Sequence, residues 1–286
     1  MEVDCEGCAG CCLDWRPLVE DPPDHERRGP RDPLDDAYNL VPLTRDDARG
    51  LLEAGLAAAT TPRLFRDEDG LEVDGRTVAA VDGKPAFFLG LRKPPKPVAP
   101  FGVEPAWLPS CVFLDPDTLQ CRIHGDELYP QECADYPGHN LDLGAETECE
   151  RVEASFGGER LLDAAVPETL PDPLLGPQAL GQVVFVHPEP ARLDGVVERV
   201  AGGGLTPEDR AEFLAAAVAG SPGTTTTNTT AYREARERAL DAEAWVAPAI
   251  AEWERLADAA DADPALGERV EDDRGAPPTP GWESPE

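Results

Sequence analysis

The sequence predicts an α+β protein: a small, irregular cysteine-cluster domain of short hairpins and helices, followed by a helical C-terminal extension. Three observations predict it. Eight cysteines divide into a tight opening group, CEGCAGCC with Cys5, Cys8, Cys11 and Cys12, and a spread group, Cys111, Cys121, Cys133 and Cys149. Between the groups lie short β-rich pieces separated by Asp-Gly pairs, the strongest short-range hairpin signal. Beyond residue 205, apolar residues rich in alanine recur at helical spacing.

Taken in order, the opening cysteines run into a Pro-rich charged stretch, Pro17 to Pro33, which reads as irregular loop because each proline removes a donor and restricts its predecessor. Helical pattern begins at Thr44, with Asp47 three residues on as a near capping box, and runs through Ala48, Leu51, Leu52 and Leu56 to Thr60-Thr61-Pro62. The pieces LEV, RTVAAV and PAFFLGL follow, turned at Asp74-Gly75 and Asp82-Gly83. Prolines 94 to 109 read as a rigid connector. Val112-Phe113-Leu114 and Cys121-Arg122-Ile123 bracket Asp115-Pro116-Asp117 as a further hairpin, and Cys133 falls in a short helical turn between Pro130 and Pro137.

After Cys149 a Pro-rich and Gly-rich extension contains one strand candidate, Val183 to Val186. Thr206-Pro207-Glu208-Asp209 is a helix start with a cap, proline at the first position and acids in the first turn. The threonine tract from 224 to 230 reads as a polar linker. A long helical stripe then spans Ala231 to Ala260, with a kink or two abutting helices expected at Pro248. The expected organisation is a cysteine-cluster domain over 1–160, an extension over 161–204, a helical region over 205–260 and a disordered acidic tail over 261–286.

Composition limits the function. With 25 Lys plus Arg against 57 Asp plus Glu, the formal net charge is −32, and only Lys84, Lys93 and Lys96 are lysines. Self-repulsion on this scale is tolerable where ~1 M salt shortens the Debye length to ~3 Å, so the surface reads as halophilic. The absence of a Lys/Arg cluster argues against nucleic acid, whose phosphates need neutralising. No stretch approaches the roughly 18 apolar residues of a membrane span, and no signal-peptide pattern opens the chain. The expectation is a cytoplasmic protein.

In a reducing compartment disulfides are mostly transient, which argues against a structural disulfide set. A CxxC redox motif follows a strand in a βαβ unit, and nothing before Cys5 supplies one. Metal ligation is the remaining reading: four thiols within eight residues, in a segment with little apolar surface, want a cation. All-thiolate sites suit zinc or iron–sulfur. The opening C-x2-C-x2-C favours iron–sulfur, whereas zinc sites more often pair two knuckles. Adjacent Cys11 and Cys12 reach one ion only through a tight turn, for which Gly10 is the candidate, or else serve different metals; eight thiols suffice for two four-ligand sites or for one with thiols to spare. His124 and His139 are further ligand candidates, outweighed by structural roles, and His25 and His187 read as surface or loop residues. Glu132 and Asp135 flank Cys133 as outer-shell candidates or solvated surface.

CEGCAGCC, then Cys111-Val-Phe-Leu, Cys121-Arg-Ile-His, the Pro130 to Pro137 segment around Cys133, and Cys149 near Arg151 together resemble the CxxCxxCC family of zinc- or iron-chelating proteins, the YkgJ-type cysteine-cluster family. The resemblance covers about residues 1 to 155 and takes in all eight cysteines. Tyr129 stands where that family often has arginine. The resemblance implies metal chelation by Cys5, Cys8, Cys11, Cys12, Cys111, Cys121, Cys133 and Cys149, with an iron–sulfur cluster or Zn2+ as cofactor. Some members are flagellin lysine N-methylases associated with an iron–sulfur cluster. Two functional classes follow: an iron–sulfur protein of redox or methyl-transfer chemistry, and a zinc-chelating structural or interaction module without catalysis. The partner, protein or small molecule, is not specified by the residues.

Overall fold

The computed structural model describes residues 1–22, 31–170, 182–221 and 224–281. Ten strands and nine helices are present among them, and the fold is α+β. In the first half the elements are β1 (Glu2–Val3), α1 (Arg45–Glu53), β2 (Thr60–Leu64), β3 (Arg66–Val73), β4 (Arg76–Val78), β5 (Ala80–Val81), β6 (Lys84–Leu91), β7 (Pro95–Val98) and β8 (Ala106–Pro109). Three short helices follow, α2 (Gln131–Asp135), α3 (Gly138–Asp142) and α4 (Glu148–Phe156), then β9 (Leu161–Asp163) and β10 (Val184–Val186). The C-terminal helices are α5 (Val196–Gly202), α6 (Pro207–Ala219), α7 (Thr229–Leu240), α8 (Val246–Ala257) and α9 (Pro264–Asp272).

Strand β6 organises the main sheet. It lies antiparallel between β2 and β10, with Phe87 paired to both Leu64 and Phe185, and β5 folds onto its start. Both Asp-Gly turns form as read: Asp74 and Gly75, and Asp82 and Gly83, all take positive φ, the two-residue geometry that matches strand twist. Helix α6 covers the sheet, its residues 211 to 217 all buried and Phe213 edge-on to Phe87 at 4.9 Å. Capping boxes start α1 at Thr44 and α6 at Thr206, as the sequence indicates. Asn228 caps α7, so the end of the threonine tract is helix start rather than linker.

Four differences from the sequence reading have clear causes. The pattern begun at Thr44 stops at Glu53, because Gly55 turns the chain at positive φ and Thr60 to Leu64 pair with β6. The proline-rich connector contains an antiparallel ribbon, β7 with β8. Prolines fit there because a two-stranded ribbon leaves outward N–H positions unused. The stripe from Ala231 to Ala260 breaks between Leu240 and Val246, leaving Pro248 in the first turn of α8, where its missing donor costs nothing. The hairpin expected around Asp115 reduces to one bridge, Leu114 to Cys121.

The acidic tail needs the largest correction. Residues 264–272 form α9, which packs on β7 and α8. Gly267 lies so close to the ribbon that an added Cβ would stand 2.8 Å from Pro97 and 2.9 Å from Pro116. Glu271 is fully buried, receiving Lys96 Nζ at 2.6 Å and the Arg122 guanidinium. Arg122 also bonds the Pro277 carbonyl, and Thr279 donates to Asp115. A polar sequence is ordered here because buried cations elsewhere in the chain require its carboxylate. Residues 282–286 of the expected tail lie outside the described residues.

A single apolar cluster runs from Cys8 through α1, the sheet and α6 to Trp253 and Val270, without dividing at residue 160. No helix among the described residues is long and apolar enough to cross a membrane.

Candidate metal centre

The opening segment is held at both ends. At its start β1 pairs with β9, and Asp4 N donates to the Arg160 carbonyl at 2.7 Å, which sets Cys5 beside the segment leaving α4. At its end Leu13 bridges Ser110, and Cys111 N donates to the Cys12 carbonyl at 2.7 Å. Between these anchors the backbone makes two successive turns, Cys8 N to the Cys5 carbonyl and Cys12 N to the Ala9 carbonyl. Gly7 and Ala9 supply the positive φ angles. Gly10 has a different job from the turn assigned to it: a Cβ there would meet Val152 Cγ2 at 2.6 Å, so its lack of side chain lets the loop lie against α4. Cys11 and Cys12 end the second turn with their Sγ atoms 3.9 Å apart.

The spread cysteines approach from three further pieces. Leu114 N donates to the Cys111 carbonyl and Leu114 bridges Cys121, so these two residues share one tight loop. Cys133 lies on α2, as read; its carbonyl accepts from Tyr129 Oη, and the Tyr129 ring packs edge-on against His124, whose N–H bonds the Cys121 carbonyl. Cys149 is the second residue of α4, a helix begun by a capping box between Thr147 and Glu150. Beside it the buried Glu148 carboxylate accepts from Trp15 Nε1 and from Tyr38 Oη at 2.7 Å and meets Arg151 at 3.4 Å. That network pins the start of α4, and with it Cys149.

All eight cysteines are free thiols. Cys8 and Cys111 are buried; Cys5 is exposed by surface area although protein fills most of the volume around it. Burial pushes Cys5, Cys121 and Cys149 up to about 12, with neighbouring thiols adding to the effect. Burial likewise raises Cys8 and Cys111, and lifts Cys133 well above the ordinary thiol range. Cys12 rises well above it too, first through its hydrogen bond with Cys11 and then through burial. Cys11 alone is lowered, by that same bond and by the Lys93 charge. Lys93 stands among Cys11, Cys12 and Cys111 with Nζ 3.3 Å from the Cys11 carbonyl, its own pKa lowered by burial. A basin in which seven of the eight thiols are held toward the protonated form is an environment in which a bound metal would have to displace protons.

The structure therefore brings the segments bearing all eight sequence-chosen cysteines together. As the side chains stand, no group of three or more His, Cys, Asp or Glu among the described residues is placed to hold an ion. The donor set nevertheless fits zinc or iron–sulfur in kind, being wholly sulfur. His124 is exposed against Tyr129, and His139 is buried on α3. His187, read as a surface or loop residue, lies in the loop after β10 but is fully buried between α6 and α7, because its ring packs against Phe213 and Tyr232. His25 lies outside the described residues. Asp135 accepts from Gln131 on its own helix. Sequence reasoning missed Lys93 and Glu148. A usable signal existed for the first: in a chain with three lysines, each one retained against a lysine-poor surface is a candidate for an interior task.

The fold and the basin define an α+β chain with a thiol-rich interior. It belongs to a family of unknown function, DUF7531, matched over residues 1–283. No curated protein and no solved structure matches it.

Proposed function

We propose that this chain is a cysteine-cluster metal-binding protein of the cytoplasm, holding iron–sulfur or zinc through Cys5, Cys8, Cys11, Cys12, Cys111, Cys121, Cys133 and Cys149. The observation that carries this reading is the convergence of eight free thiols from separate segments, anchored by backbone pairing at both ends of CEGCAGCC. Gathering so many unpaired thiols beside a lysine amine, two of them buried and five half-buried, has no evident packing purpose, since neighbouring positions such as Leu13, Val112 and Val152 already supply the apolar contacts. A soft cation would convert the protonated thiols into thiolates and the separate segments into one closed unit, so loading and folding are coupled here.

The resemblance of the cysteine pattern to the CxxCxxCC chelating family supports the same reading. An iron–sulfur centre would serve redox or methyl-transfer chemistry; zinc would shape a structural or interaction module. The strongly acidic surface speaks for work in high salt and against nucleic-acid partners. The test is metal and acid-labile sulfide content, with a visible spectrum, on protein purified anaerobically in high salt. Iron with matching sulfide and absorption near ~400 nm supports the cluster, and zinc without sulfide supports the module. Protein that takes up neither metal refutes chelation.

A further inference from the structure

We propose that the eight thiols form two separate four-sulfur centres, an outer one from Cys5, Cys8, Cys11 and Cys149 and an inner one from Cys12, Cys111, Cys121 and Cys133, adjoining at Cys11–Cys12. The inference rests on the chelation reading and goes beyond it by dividing the ligands.

The division follows from the anchors. The strand pair β1–β9 and the Asp4–Arg160 bond fix the front of CEGCAGCC to the chain that leaves α4. The Gly10 position fixes its middle to α4 itself: the Cβ site lies 3.6 Å from Cys8 Sγ, 3.8 Å from Glu148 Cγ and 2.6 Å from Val152 Cγ2, all around the helix turn that carries Cys149. Cys5 and Cys8 are thus committed to the α4 side. The back of the segment is committed elsewhere. Leu13 bridges Ser110 and the Cys12 carbonyl takes the Cys111 N–H, so Cys12 and Cys111 are bound side by side. Leu114 ties Cys111 to Cys121, and the His124–Tyr129–Cys133 chain of contacts ties Cys121 to α2.

Electrostatic neighbourhoods agree with the backbone. The thiols that act on Cys5 are Cys11, Cys8 and Cys149, and those that act on Cys149 are Cys11 and Cys8. The thiols that act on Cys12 are Cys11, Cys111 and Cys121, and those on Cys133 are Cys111, Cys11 and Cys121. Cys11 is prominent in both circles. It completes the outer set because that set has three members without it, while the inner set already has four. Four sulfurs per centre is the complement that both a zinc ion and a cubane cluster use. The 3.9 Å contact between Cys11 and Cys12 is then the point at which the two centres adjoin.

The experiment measures metal per chain, and cysteine protection by iodoacetamide labelling and peptide mass mapping, on the full chain purified anaerobically in high salt. The expected result for the wild type is two zinc equivalents or two clusters. Cys149→Ser is expected to lose half the metal and to expose Cys5 and Cys8 while Cys121 and Cys133 stay protected; Cys133→Ser is expected to do the converse. If a variant fails to fold, the wild type is stripped stepwise with a chelator, and the two sets must become labelled at two distinct rates. One metal centre per chain, or labelling of Cys8 and Cys121 in step, overturns the division while leaving chelation standing. A wild type that binds no metal overturns both.

Discussion

Replacing Glu271 with alanine removes the carboxylate on which the C-terminal segment closes, and the structure fixes what is left behind. Glu271 and Lys96 are both fully buried, joined at 2.6 Å, and the Arg122 guanidinium meets the other carboxylate oxygen. In the variant Arg122 keeps Asp115 at 3.0 Å. Lys96 keeps only neutral partners: the Val112 carbonyl at 2.8 Å, the Leu114 carbonyl at 2.5 Å and the Trp253 ring face at 4.2 Å. One cation, not two, is therefore stranded, and stranding one member of a buried pair costs about 3–5 kcal/mol. For a chain of this size that corresponds to a fall in Tm of roughly 10 °C. Urea unfolding at constant high salt, followed by tryptophan fluorescence, measures it. The double variant Lys96→Met with Glu271→Leu should recover most of the loss, because an apolar pair of similar volume removes the stranded charge. A loss below about 1 kcal/mol for Glu271→Ala, or a double variant no better than the single, would refute the account of this network.

Three further outcomes are expected. Glu148→Ala strands Trp15 Nε1 in the core, leaves Tyr38 to Arg151, and should cost about 1–3 kcal/mol while loosening Cys149; urea midpoints and alkylation of Cys149 check it together. Gly10→Ala should destabilise by about 1–3 kcal/mol through its clash with Val152, and adding Val152→Ala should restore part of the loss; equal stability of the two proteins argues against the close approach. His187 is held neutral by burial, its pKa lowered to about 4, with Glu212, Glu189, Arg192 and Tyr232 around it. Its folded state binds fewer protons than the unfolded one, so its contribution is intact above about pH 6.5 and is lost as pH falls toward 4. Between pH 6.5 and 5 the wild type should lose about 1–2 kcal/mol more stability than His187→Phe, and parallel pH profiles would contradict this.

Local signals in the sequence proved sufficient wherever a few adjacent residues decide the conformation. The capping boxes at Thr44 and Thr206, the Asp74-Gly75 and Asp82-Gly83 turns, the short helix around Cys133 and the strand near Val184 all carry their reasons within a few positions. What escaped depends on partners distant in sequence. Proline at 95 and 97 argues against a strand until Trp107 and Pro109 are known to lie opposite. Residues 264–272 look too polar to fold until Lys96 and Arg122 are found waiting for Glu271. In the basin, residue type and spacing singled out the thiols, but the approach of their segments depends on β1–β9 and Leu13–Ser110 pairings that no local pattern announces.

The scarcity of lysine gives this chain a built-in set of reporters. Amine-reactive reagents find, besides the amino terminus, only three targets. Lys84 bonds the Thr225 carbonyl and watches the junction of the sheet with the start of α7; Lys93 watches the thiol basin; Lys96 watches the docking of α9. Acylation at each position, resolved by peptide mass, reads the opening of one region with almost no background from the rest of the surface. The same amino-acid economy leaves its interior movements separately visible, without the introduction of a single label.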